Sequence, residues 1–172
     1  ALALRDTVPR AVPLAVLHGL IAGAEAEAAN AGIVPVLNDL GALATVCDSD
    51  AARLADVRAQ YSGVHTTSSV RDVFHDPDLG AVAIAAPAEQ HAELIRSALL
   101  AGKHVFVEKP LALSVRAGQD LDRLAKREGR TLMVGHLLWY HPAVLRLKEL
   151  IDQGELGRIQ YIYSNRLNLG RI

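Results

Sequence analysis

The chain has 172 residues, long enough for one sizeable hydrophobic core and a fragment of a second. Its apolar share of 51% and its net charge of -1 are ordinary for a soluble domain, and no basic stripe is present to neutralise a phosphate backbone, so nucleic acid is not an expected partner. Cys47 is the only cysteine, which excludes an intrachain disulfide and a multi-cysteine zinc site.

In chain order, Leu14 to Leu17 reads as a first strand, and Gly19 and Gly23, in the run GLIAG, open a helix through Ala31. Ile33 to Leu37 is a further apolar segment, interrupted by Pro35. From Ala42 onward, short β-rich runs alternate with stretches of helical periodicity, the pattern of βαβ units. Ala42 to Cys47 is predicted as a strand, Asp50 to Gln60 as a helix, Val64 to Thr67 as a short strand and Val70 to His75 as a brief helix. Ala81 to Ala85 is a continuous apolar run of the kind a strand buried on both faces requires. Pro87 stops that strand, and the helix from Glu89 to Leu100 carries Leu94, Ile95, Ala98 and Leu99 on one face, with Gly102 as its C-cap. His104 to Val107 is the next strand. Ser114 then caps a helix through Lys126, and Thr131 to Val134 is another strand. Right-handed crossovers turn this rhythm into a doubly wound parallel α/β sheet of the Rossmann type.

The organisation changes near Leu137. Pro142 to Ile151 reads as a helix with Gly154 beyond it, and Arg158 to Leu167 alternates like a strand with one exposed face. The division predicted is an atypical segment over 1–38, a dinucleotide-binding domain over 39–136, and over 137–172 the start of an α+β substrate domain, truncated.

Ligands of a doubly wound sheet bind beyond the carboxyl ends of its strands, so the residues there carry the chemistry. Asp48 follows a strand, where a carboxylate can accept both hydroxyls of an adenosine ribose and repel a 2′-phosphate; no arginine stands immediately beside it. Equally, Asp48 or Ser49 can cap the next helix. Glu108, Lys109 and Pro110 follow a buried strand. A partly desolvated lysine there can exchange a proton with a hydroxyl, while the alternative is a surface ion pair. His91 lies in the first turn after Pro87, either beside a ligand or on the helix surface. Lys126, Arg127 and Arg130 gather where a helix should end, as its dipole favours. His136 and His141 lack metal-site spacing, so no metal is expected. Neither GxxxxGK[ST] nor GxSxG occurs, which speaks against a P-loop and a serine hydrolase. No secretory signal and no bilayer-length apolar run are evident, and the expected location is the cytoplasm.

The run AAPAEQHAELIRSALLAGKHVFVEKPLAL, Ala85 to Leu113, resembles the signature region of the Gfo/Idh/MocA oxidoreductase family. It has a strand ending in Ala86 and Pro87, His91 four residues later, AGKHV at Ala101 to Val105, and EKP at Glu108 to Pro110. The likeness extends from about Leu40 to Ile172. The stretch from Val134 onward is most similar to bacterial dehydrogenases of UDP-linked N-acetylhexosamines. The resemblance implies a Rossmann domain for NAD, with NADP less favoured, and a second domain holding a sugar or sugar-nucleotide substrate. Lys109 would move the alcohol proton, Glu108 and Pro110 would shape the nicotinamide pocket, Ala86, Pro87 and His91 would lie along the cofactor, and Asp48 would hold its ribose. It also implies a homo-oligomer at full length, with further catalytic residues beyond Ile172.

The family begins with GxGxxG, which is absent here, so weak dinucleotide binding is expected of a chain whose nearest equivalent is GLIAG. Two other functions fit the same residues: a non-catalytic relative that binds a nucleotide or sugar, and an inactive truncated product.

Overall fold

Short apolar runs joined by helices pair in parallel, because each crossover returns the chain to the same end of the sheet. The structure, a computed structural model describing residues 14–17 and 43–165, follows this rule. Six strands, β1 (Leu14–Leu17), β2 (Leu43–Cys47), β3 (His65–Thr67), β4 (Ala81–Ile84), β5 (His104–Val107) and β6 (Leu132–Val134), form one sheet in the order β3-β2-β1-β4-β5-β6. Every pairing is parallel. The strand order reverses between β1 and β4, the switch point of a doubly wound Rossmann sheet. The expected first strand thus takes the central place. The helix expected after it and the segment Ile33 to Leu37 lie outside the described residues.

Four helices, α1 (Ala51–Gln60), α2 (Val70–His75), α3 (Ala88–Leu100) and α4 (Val115–Arg127), fill the crossovers among the described residues. Their starts follow from oxygen-bearing residues. Asp50 accepts the Ala52 N–H at 2.8 Å, Ser69 the Asp72 N–H at 3.2 Å and Ser114 the Ala117 N–H at 3.2 Å. Pro87 has no such side chain, and its carbonyl accepts the Gln90 N–H at 2.9 Å instead. At the far end of α3, Gly102 adopts φ +74°, and the N–H groups of Gly102 and Lys103 bond the carbonyls of Leu99 and Ala98. That is a Schellman closure, which a left-handed glycine makes without steric cost.

The period-2 alternation of the strands divides the core between the two faces. Val82 and Ile84 of β4 and Val105 and Val107 of β5 pack with Leu94, Ile95, Ala98 and Leu99 of α3 and Leu121 and Leu124 of α4. Ala83 of β4 and Val46 of β2 pack instead with Leu54 and Val57 of α1. Ile95, Leu99 and Leu121 are fully buried, and each contributes about 1.5–3 kcal/mol by leaving water. The apolar face predicted for α3 is therefore the one that holds the sheet.

The chain divides into two units, residues 1–135 and 136–172. In the second, Leu137–Tyr140 forms a 3-10 turn and α5 spans Pro142–Asp152, capped by Nδ1 of His141, which accepts the Ala143 N–H at 3.2 Å. The strand expected from Arg158 to Leu167 is not formed over its described part, 158–165. Alternation alone does not make a strand: its backbone groups need a neighbouring strand, and among the described residues none lies beside this run.

Candidate functional site

The carboxyl ends of the strands bring the predicted residues to one edge of the sheet. Asp48 follows β2, Ala86 and Pro87 follow β4, and Glu108, Lys109 and Pro110 follow β5. With strands about 4.8 Å apart, the three spacings from β2 to β5 put Asp48 roughly 15 Å from the loop after β5. That suits a ligand lying across the switch point rather than a single small molecule.

At the β2 end, the carboxylate of Asp48 is fully buried. Its Oδ1 accepts the Asp50 N–H at 2.8 Å and an Arg53 guanidinium N–H at 3.2 Å, and its Oδ2 lies 2.9 Å from Nε of Arg53. Two expectations are corrected here. Neither Asp48 nor Ser49 caps α1, because Asp50 does so, leaving Asp48 to brace the loop that leads into the helix. And although no arginine adjoins Asp48 in sequence, the first turn of α1 folds Arg53 back onto it. Beside this pair is a groove of about 450 Å³, bordered by Ser49, Arg58, Thr66, Thr67 and Ser68. Arg58 donates to the Thr66 hydroxyl at 2.7 Å on its rim. The hydroxyls and the Arg58 guanidinium on this groove can hydrogen-bond the adenosine half of a dinucleotide, while Asp48, fully buried and off the groove's lining, holds the adjoining loop. The turn that would meet its pyrophosphate lies outside the described residues.

At the β5 end, the loop of Glu108, Lys109 and Pro110 is held on both sides. The Glu108 N–H extends the β4–β5 ladder to the Ile84 carbonyl at 2.9 Å, and the Gly135 N–H reaches the Val107 carbonyl at 2.8 Å. A Cβ on Gly135 would stand 3.3 Å from Phe106 Cζ and 3.4 Å from Glu108 Oε1, so a larger residue there would need a small shift of those two side chains. The Lys109–Pro110 peptide is cis. Lys109 itself is exposed.

His91 is 1% exposed, so the helix-surface alternative does not hold. Its Nδ1 lies 2.6 Å from the Pro110 carbonyl oxygen and its Nε2 2.7 Å from that of Ala86. Three of the predicted residues, Ala86, His91 and Pro110, are thus joined directly.

Other titratable groups lie apart. Burial, followed by the charges of Asp48 and Asp72, pushes the Cys47 thiol up to about 11, which makes it a poor nucleophile. Lys103, at the amino end of β5, is 5% exposed and donates from Nζ to the carbonyls of Asp76 and Leu79. Sequence reasoning passed over both Arg53 and Lys103. An arginine five residues after an aspartate, straddling a helix cap, matches no helical pairing rule, and a buried lysine carries no local mark. Lys126 pairs with Asp122 and Arg127 with Glu128 in or beside the last turn of α4, a solvated helix end. Among the described residues no group of three or more His, Cys, Asp or Glu could hold a metal ion, and no described helix is long and apolar enough to cross a membrane.

A parallel sheet in this strand order, with its charged residues at the carboxyl edge, defines a nucleotide-binding α/β domain. Residues 17–136 match the profile of the Gfo/Idh/MocA group, described as an oxidoreductase family with an NAD-binding Rossmann fold, and the chain belongs to that family. It is 36% identical over 123 residues to the uncharacterized oxidoreductase YdgJ of Escherichia coli, covering 72% of this chain and 35% of YdgJ. It is 33% identical over 129 residues to inositol 2-dehydrogenase 2 of Saccharopolyspora erythraea, covering 74% of this chain and 38% of that enzyme. Among solved structures it is similar to KijD10, a 3-ketoreductase from Actinomadura kijaniata in complex with NADP and TDP-benzene. There the TM-score is 0.71 at 25% identity, over 83% of this chain and 42% of KijD10. The chain spans about a third of the length of the curated relatives it matches.

Proposed function

We propose that this chain is the cofactor-binding part of an NAD-dependent dehydrogenase that moves a hydride between the nicotinamide ring and a hydroxyl-bearing carbon of a sugar or sugar nucleotide. The observation that carries the proposal is the loop of Glu108, Lys109 and Pro110, fixed at both ends at the carboxyl edge of β5 with Lys109 exposed between them. A dinucleotide supplies the hydride donor or acceptor when bound. The work left to the chain is proton transfer and placement. Lys109 takes the hydroxyl proton as the alcohol is oxidised and returns it in the reverse direction, a role an amine performs when water is partly excluded. Glu108 and Pro110 hold the walls on either side of it, and Ala86 and Pro87 form the neighbouring wall. At the far end Asp48 acts from within, holding Arg53 and the loop that leads into α1, while the hydroxyls of Ser49, Thr66 and Thr67 and the Arg58 guanidinium face the ribose. The preference for NAD rests on the carboxylate at this position, which repels a 2′-phosphate, and its pairing with Arg53 offsets part of that repulsion.

The experiment is a comparison of the protein with Lys109→Met, each extended to the length of its relatives, titrated with NAD and with NADP and assayed by reduced-nicotinamide absorbance on polyol and sugar-nucleotide alcohols. NAD should bind more tightly than NADP to both proteins. Turnover by Lys109→Met should fall about 10²-fold or more while NAD affinity stays close to that of the parent. Near-normal turnover in the variant would remove Lys109 from the chemistry, and equal affinities for the two cofactors would remove the preference assigned to Asp48.

A further inference from the structure

His91 is a buried polar side chain of the binding edge that the proposed chemistry leaves without work. It projects inward from the first turn of α3, with 1% of its surface exposed, and both ring nitrogens meet backbone carbonyl oxygens, at 2.6 Å on Pro110 and 2.7 Å on Ala86. Carbonyl oxygens only accept, so the ring meets them as a donor, and its tautomer decides which nitrogen carries the hydrogen. The two carbonyls belong to different loops, five residues before His91 and nineteen after it. Without the ring, the buried carbonyl of Ala86 would have to find another donor, and an unpaired buried acceptor is costly.

The two attachments of the loop after β5 are unlike. Its start, Glu108, is fixed by the sheet ladder, which any residue with an N–H supplies. Its end, Pro110, is fixed by a side chain. We propose that His91 is a positioning residue: it straps the loop of Glu108 to Pro110 to the turn after β4, and thereby sets where Lys109 stands on the sheet edge. The strap itself follows from the contacts of His91, while its value for catalysis rests on the role given to Lys109 above. His91 then touches neither cofactor nor substrate and acts through the two loops that do.

The chain has four lysines, Lys103, Lys109, Lys126 and Lys148, so the amine of Lys109 can be observed individually in the protein after reductive ¹³C-methylation, with Lys109→Arg assigning its resonance. In His91→Phe, which keeps a planar ring but has no donor, the Lys109 resonance should shift and amide exchange at Lys109 and Leu111, on either side of Pro110, should quicken by about tenfold or more. The resonances of Lys126 and Lys148 and the exchange of the β4 and β5 amides should remain as in the parent, which separates a released strap from general unfolding. In His91→Gln, whose amide has N–H donors, exchange should return toward the parent rate. If His91→Phe does not fold, ¹⁵N correlation spectra of the unsubstituted protein decide: a ring N–H that exchanges slowly with solvent supports the strap. A ring with no slowly exchanging N–H, or a folded His91→Phe with an unchanged Lys109 resonance and unchanged exchange, overturns it. Normal turnover in Lys109→Met would refute the catalytic reading and leave these outcomes untouched, so the two can fail separately.

Discussion

Lys103→Met tests whether the buried lysine of AGKHV is a structural tie. The side chain is 5% exposed, and its ammonium donates to the carbonyls of Asp76 and Leu79, the latter at 2.6 Å, stitching the end of α2 and the entry to β4 against the start of β5. Methionine keeps the apolar stem and removes the donors. Hydrogen bonds from a charged group contribute about 1.5–3 kcal/mol each, and a buried carbonyl left unpaired costs about 1–3 kcal/mol. The cost of burying the ammonium works the other way. It is what lowers the pKa of Lys103, ahead of Asp76, which raises it, and the substitution gives that cost back. The net loss should be about 2–4 kcal/mol, a fall in Tm of roughly 5–15 °C for a chain of this size. Urea unfolding followed by far-UV circular dichroism measures it, with an unchanged m-value showing that the surface exposed on unfolding is the same. A loss under about 1 kcal/mol, the value of an exposed charged pair, would refute the claim that these two carbonyls depend on Lys103.

Two further outcomes follow from the titratable groups. His104 accepts the Thr131 N–H at Nδ1, 3.0 Å away, and burial, followed by the charge of Arg130, lowers its pKa below 6.5. Its neutral form is the one folding favours, so the stability it provides is complete above about pH 6.5 and is lost as pH falls from there through the folded-state value. The difference in unfolding free energy between the protein and His104→Gln should narrow over that window; a difference independent of pH would refute it. Cys47, raised to about 11 and 1% exposed, should react with iodoacetamide at pH 8 orders of magnitude more slowly in the native protein than in urea, as mass spectrometry would record. Comparable rates would mean that the end of β2 opens freely.

Most of the sheet was legible because its signals are local. Ala81 to Ala85 is apolar without a break since β4 is covered on both faces, and the strand found, Ala81–Ile84, differs from it by one residue. Ser114 and Gly102 mark helix ends by chemistry that depends on no distant partner, and both ends lie where those residues put them. What was not legible depends on contacts between segments. In Asp48, Ser49 and Asp50, three oxygen-bearing residues precede α1, and periodicity cannot tell which caps it; the guanidinium of Arg53 draws the first inward and leaves the third to the helix. Arg158 to Leu167 has the alternation of a strand, yet a strand is a relation between two segments, and among the described residues no partner stands beside 158–165. His91 shows the same limit from the opposite side. Its position in sequence pointed to the binding edge, whereas its orientation, inward and onto two carbonyls, depends on a loop nineteen residues away.

Within the segment from Ala85 to Pro110, the strand β5 is fastened at both ends. At the amino end of β5, Lys103 grips the carbonyls of Asp76 and Leu79; at its carboxyl end, His91 grips those of Ala86 and Pro110. Each fastening is a side chain, itself buried, that meets two backbone carbonyls. The two lysines of the segment therefore have opposite tasks. Lys103 has both identified carbonyls in its grasp and its charge disfavoured by burial, while Lys109, six residues along and beyond the opposite end of the strand, stands exposed on a loop that others hold still. Lys103 and His91 each hold a loop at one end of β5, and if Lys109 is the acid/base group proposed above, that placement has to be in force before its acidity can matter.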